Sequence, residues 1–167
     1  MSHNGFYRRF NNASNEWILD PGSKSEITIE IYLDIPNTVQ PNLTLEFNGE
    51  TVDTPISEEP NEHGHYAWIF TVTPKQENII RLHATGLGSI MDKSKYVSVV
   101  EVIADDVNFD IVHQMNCNAQ PKGLEYQKGA TQLDSAGYIE IPIGAPVWKY
   151  WCDTLDQFKY EDYPNWR

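Results

Sequence analysis

His63-Gly64-His65, with Glu62 beside it, is the densest group of metal-ligating side chains in the sequence. On a strand, imidazoles at i and i+2 point to one face and can chelate a transition metal. Sites of this type add a carboxylate a few residues further on, where this chain has Ile69 and Phe70. His83 and His113 would have to be brought in by the fold, so loop histidines at a strand entrance are the expectation. Asp105, Asp106 and Asp110 are oxygen ligands of the kind that hold Ca²⁺, but they lack the spacing of a calcium loop. A solvated linker is expected there.

Nucleophile motifs fail in turn: no G-x-S-x-G, no Walker loop and no H-E-x-x-H occurs. Gly86-Leu87-Gly88 follows a strand, with no helix start after it to cradle a phosphate. Cys117 has His113 four residues before it, a pair that only the fold could turn into an activated thiol. Glu46, Glu50 and Asp53 come close together on a hairpin, yet outward strand acids ordinarily serve solubility or guard an edge. These patterns assign no catalytic residue, metal ligand or cofactor, and a non-enzymatic protein is expected.

The 167 residues carry 24 Asp and Glu against 12 Lys and Arg, a formal charge of −12. That balance disfavours binding to a nucleic-acid backbone, which calls for a basic face. The longest apolar run, Tyr66–Phe70, falls far short of the ~18 residues of a membrane span. No Lys- or Arg-led apolar segment opens the sequence, so no signal peptide is expected. Cys117 and Cys152 can pair or stay reduced; two cysteines define no framework.

Such residues are positioned by strands. From 26 to 35, Ile27, Ile29, Ile31, Leu33 and Ile35 alternate with polar partners, which places every aliphatic on one face. Leu43, Leu45 and Phe47 alternate next and end at Asn48-Gly49, a hairpin turn that returns through 50–53. A polar loop from 55 to 63 precedes Tyr66, Trp68, Phe70 and Val72 on one strand face. Ile80, Leu82 and Ala84 alternate with Arg81, His83 and Thr85, and the β-branched 95–103 closes the series. Five clear strands and one or two short ones between 25 and 104 predict a small antiparallel sandwich.

The run Gly64–Pro74, followed by N-I-I-R-L-H-A-T-G and Y-V-S-V-V-E-V, resembles the last three strands of immunoglobulin-like domains, which bacteriophage and bacterial surface proteins carry. The antibody cysteine pair is missing from these strands. The resemblance implies an immunoglobulin-like β-sandwich over 25–105, an N-terminal arm over 1–24 and a C-terminal extension over 106–167. In that extension Tyr138–Ile143 reads as an edge strand, because Pro142 lacks a ladder donor. Trp148, Trp151, Cys152, Leu155 and Phe158 fall at helical spacing, with Pro146 suited to the first turn.

Both ends are rich in the residue types of interface anchors. They supply Phe6, Tyr7, Arg8, Arg9, Phe10 and Trp17, then Trp148, Trp151, Phe158, Tyr160, Tyr163 and Trp166. With the resemblance, this leads to a virion accessory protein fastened to capsid, collar, tail or baseplate subunits or to further copies of itself, and assembled in a host cytoplasm. The alternative is a carbohydrate-binding module, which predicts Trp148, Trp151 or Trp166 facing solvent as sugar platforms. A small metal-dependent enzyme centred on His63 and His65 is the third reading.

Overall fold

The computed structural model describes residues 8–11, 16–19, 26–37, 39–87, 95–109 and 116–161, with side chains described between 26 and 154. At the N-terminus β1 (Arg8–Asn11) and β2 (Glu16–Leu19) pair with each other as a hairpin, setting Phe10 opposite Trp17. The isoleucine alternation then becomes β3 (Ile27–Asp34). Its Ile27, Ile29, Ile31 and Leu33 are at most 1% exposed, each burial stabilising the fold by roughly 1.5–3 kcal/mol.

The remaining expected strands follow: β4 (Asn42–Phe47), the short β5 (Glu50–Thr51), β6 (Tyr66–Val72), β7 (Glu77–Thr85) and β8 (Val97–Ala104). The turn between β4 and β5 is Asn48-Gly49, both with positive φ, as a tight two-residue hairpin demands. In β8 the register against β3 jumps from Glu101 to Val99, so Val100 is an extra residue. This bulge lets Val97, Val99, Val102 and Ala104 all face inward despite their uneven spacing.

After β8 come β9 (Val107–Phe109), β10 (Asn118–Pro121), β11 (Gln127–Lys128), β12 (Gln132–Leu133), β13 (Gly137–Gly144) and the helix α1 (Val147–Glu161). The protein is mainly β, with two antiparallel sheets packed as a sandwich. One sheet has the order β12-β8-β3-β6, with β9 also on β8; the other has the order β11-β10-β13-β7-β4-β5. Their inner faces share one core, and Phe47 meets Phe70 across it edge-on at 6.4 Å. Among the described residues no helix is long and apolar enough to cross a membrane.

Three expectations need correction. The strand around Pro142 is not at an edge, because β13 lies between β10 and β7. β10 reaches only as far as Glu140, so Pro142 sits on the part of β13 paired with β7 alone. There no neighbouring strand asks for its missing donor, and its carbonyl accepts a bond from Tyr150 Oη at 3.1 Å. The strands beyond 105 also supply both sheets, so the sandwich does not stop at that boundary. Finally, Asp105 is fully buried and not a solvated linker. With Asp106 it forms the two-residue turn between β8 and β9, both at positive φ, and its amide donates to Thr28 O at 2.9 Å. Asp110 lies outside the described residues.

Candidate functional site

Alternation that buries one face of a strand necessarily displays the other. On the outer face of the six-stranded sheet the register lines these residues into rows. Asn118, Glu140, Arg81 and Glu46 stand side by side on β10, β13, β7 and β4. The next row, Gln120, Tyr138, His83 and Thr44, lies roughly 7 Å along the strands.

The side chains in these rows are tied together. Arg81 Nε donates to Glu140 Oε2 at 3.0 Å, and Tyr126 Oη donates to Glu140 Oε1 at 3.1 Å. The Arg81 guanidinium lies over the Tyr138 ring, 5.1 Å from its centroid. That ring is tilted against His83, with 5.4 Å between centroids, and His83 Nε2 is hydrogen-bonded to Glu46 Oε1. Exposed ion pairs contribute only about 0–1 kcal/mol, so stability is not what this arrangement supplies. Its effect is to fix an array of donors and acceptors flat on the sheet.

Tyr126 reaches the array from the loop after β10. Gln120 Nε2 holds that loop by donating to Pro121 O and Leu124 O, at 3.0 and 2.7 Å. Tyr126 remains 43% exposed. Burial, then the bond to Glu140, raises the pKa of its phenol, so it stays a donor at neutral pH. The bond to Glu140 raises the Arg81 pKa in the same sense, and Arg81 remains a cation. A His–carboxylate pair supplies two of the three members of a nucleophilic triad, but among the described residues no hydroxyl or thiol is bonded to His83 to complete it.

Of the residues singled out from sequence, His83 and Glu46 fall in this array, and the others lie elsewhere. His63 and His65 sit in the loop before β6 with ring centroids 6.4 Å apart, their amides bonded to Asn61 Oδ1 as a turn. His63 is 3.5 Å from Glu62, and both side chains are exposed. Among the described residues no group of three or more His, Cys, Asp or Glu is placed to hold a metal. Cys117 and Cys152 are not joined in a disulfide.

Trp148 and Trp151 are not open platforms. They stack on each other at 5.2 Å, half-buried, and Trp151 Nε1 donates to Asn108 O at 3.2 Å. Side chains one helical turn apart are drawn onto the sandwich because α1 seats Val147 in the core and Tyr150 against Phe109. Arg8, Arg9, Phe10 and Trp17 belong to the β1–β2 hairpin, and Phe158 and Tyr160 to α1, all described in backbone only. Phe6, Tyr7, Tyr163 and Trp166 lie outside the described residues, as does His113.

No protein-family model matches the chain, and no curated protein sequence does. Two solved structures of a carbohydrate-binding module, vCBM60, are similar in shape. One is its complex with galactobiose, at 15% identity and a TM-score of 0.41, covering 68% of this chain and 96% of the module. The other is its selenomethionine form, described with calcium-dependent carbohydrate binding modules, at 15% identity and a TM-score of 0.42, covering 69% and 89%.

Proposed function

We propose that this protein is a non-catalytic carbohydrate-binding module that uses the outer face of the six-stranded sheet. The observation that carries the reading is the tied array Tyr126–Glu140–Arg81–Tyr138 with His83 and Glu46. A sugar ring offers an apolar face of C–H bonds ringed by hydroxyls. An exposed phenol ring takes the first, while preorganised carboxylate, guanidinium and imidazole groups bond the second. Fixing those groups before the ligand arrives lowers the ordering cost of binding.

Retention on polysaccharide affinity gels tests this. The wild type should be retarded by at least one neutral polysaccharide, and Tyr126→Ala and Arg81→Ala should each weaken binding about tenfold, or ~1.4 kcal/mol. Melting temperatures should stay within a few degrees, since both side chains are on the surface. Unretarded wild-type protein across a broad panel, or variants that bind as well as it does, would refute the reading.

A second reading, attachment to a larger assembly such as a virion, is favoured by the β1–β2 hairpin that sets Phe10 opposite Trp17. Residues 1–24 should then be required for co-sedimentation with the partner particle while leaving glycan retention intact. Equal sedimentation of the shortened and full chains would dismiss it.

A further inference from the structure

The glycan face is one part of a longer track. At the His83 end lies a depression of about 340 Å³ lined by Thr85, Gln120, Lys122 and Tyr138. At the Arg81 end lies another of about 360 Å³, lined by Asn48, Lys75, Glu77 and Ile79. Glu77 and Ile79 also line a cleft of about 580 Å³, which ends against Lys149, Tyr150 and Asp153 of α1. The hollows therefore follow β7 from one end to the other. Its residues 77 to 85 span roughly 27 Å at the rise of an extended strand.

The far cleft is furnished like the central array. Lys149 Nζ and Asp153 Oδ2 bond at 2.7 Å on one face of the helix, and both side chains are more than half exposed. Asn78 keeps the cleft in register with the sheet. Its amide donates to Lys75 O and Ile143 O and accepts from Lys75 N and Asn48 Nδ2, all within 3.0 Å, so β4, β7 and β13 are locked where the track turns towards α1. Charges along the way balance: Lys75, Arg81, Lys122 and Lys149 stand against Glu46, Glu77, Glu140 and Asp153, with Arg81 bonded to Glu140 and Lys149 to Asp153. Such a surface offers a polyanion or a polycation as much repulsion as attraction, and the −12 charge of the chain further opposes a polyanion.

Resting on the carbohydrate reading, we infer that the ligand is a neutral linear polysaccharide laid lengthwise along β7, with the cleft at the foot of α1 as an outlying subsite read by Glu77, Lys149 and Asp153. Binding then depends on chain length, because only a long oligomer reaches from the central array to the cleft.

Calorimetric titration with galacto-, cello- and xylo-oligosaccharides, from disaccharide to hexasaccharide, tests this on the full chain. In the series that binds, affinity should climb about tenfold or more from the shortest to the longest member. Lys149→Ala combined with Asp153→Ala should abolish that climb and leave the disaccharide affinity unchanged. A disaccharide that binds as tightly as the hexasaccharide would overturn the inference and leave the carbohydrate reading in place. So would a climb that survives in the double variant, or tighter binding of a sulfated polymer than of any neutral one. Failure of every oligosaccharide and polysaccharide to bind would overturn both.

Discussion

Cys117 is 2% exposed in the core beside β10, while Cys152 lies half-buried on α1. Burial pushes the Cys117 thiol up to about 12 from an ordinary 9.0. A thiol held neutral to that extent is a poor nucleophile and a poor partner for exchange. Native protein at mild alkaline pH should therefore yield one thiol to dithionitrobenzoate and the second only in denaturant; two rapidly reacting thiols would contradict the placement. The same burial links stability to pH. The folded state keeps its proton where the unfolded chain releases it, so the stabilisation from Cys117 is whole below pH 9.0 and lost as pH rises towards 12. Tyr32, bonded to Glu30, acts in the same sense from 10.0 to about 12. Denaturant titrations between pH 9.0 and 10.0 should thus show wild type losing stability faster than Cys117→Ala, and parallel slopes would count against it. At this scale the candidate site was only half legible. Arg81, His83 and Glu46 could be read as outward positions on alternating strands. That they stand beside Glu140 and Tyr138 depends on which strand neighbours β7, and Tyr126 comes from a loop without periodicity.

β3 and β7 were legible at the scale of elements because alternation over eight or nine residues is incompatible with a helix. β13 alternates as clearly, but its place was not, since its proline pointed to an edge while its partner β7 lies some sixty residues earlier in the chain. One glycine marks where that insertion is tightest. A Cβ at Gly137 would lie 2.3 Å from Gln120 O and 2.8 Å from Pro121 Cα, both backbone atoms of β10 that cannot swing aside. Gly137→Ala should therefore pry β10 from β13 and destabilise by at least the ~1–3 kcal/mol of an overpacked core. Gly49 has nothing within 4 Å of its would-be Cβ, so Gly49→Ala should cost only the ~1–2 kcal/mol of a left-handed residue at φ +85°. Chemical denaturation of both variants checks the order; an equal or reversed pair would show that β10 yields to the added methyl. Under the proposed function, glycan retention should fall with Gly137→Ala as well, because β10 carries Gln120 and, through the loop that Gln120 holds, Tyr126.

For the whole molecule, the question is where the folding unit ends. Strand patterns up to residue 104 looked sufficient for a sandwich, since each segment there satisfies its own alternation. They are insufficient energetically. Ile139, Ile141 and Ile143 of β13 are at most 1% exposed against the core, and Ala119, Leu133, Val107 and Phe109 are buried with them. Losing the three isoleucines alone removes roughly 5–9 kcal/mol of burial, as much as the ~5–15 kcal/mol net stability of an ordinary domain. Cutting after 105 would also strip the β13 side of β7, leaving that edge of its backbone unpaired, with only β4 beside it, and the inward Ile80 and Leu82 short of their cover. A fragment of residues 26–105 should accordingly show no cooperative melting and no dispersed amide spectrum, whereas residues 26–161 should melt in one transition. If the shorter piece folded, β13 would have to be a late addition to a complete sandwich, and the sheet face that carries Arg81 and His83 would exist without its Tyr138 and Glu140 neighbours. The unit that folds and the unit that builds the outer array are therefore the same, because one strand, β13, closes the core with its isoleucines and completes that array with the residues between them.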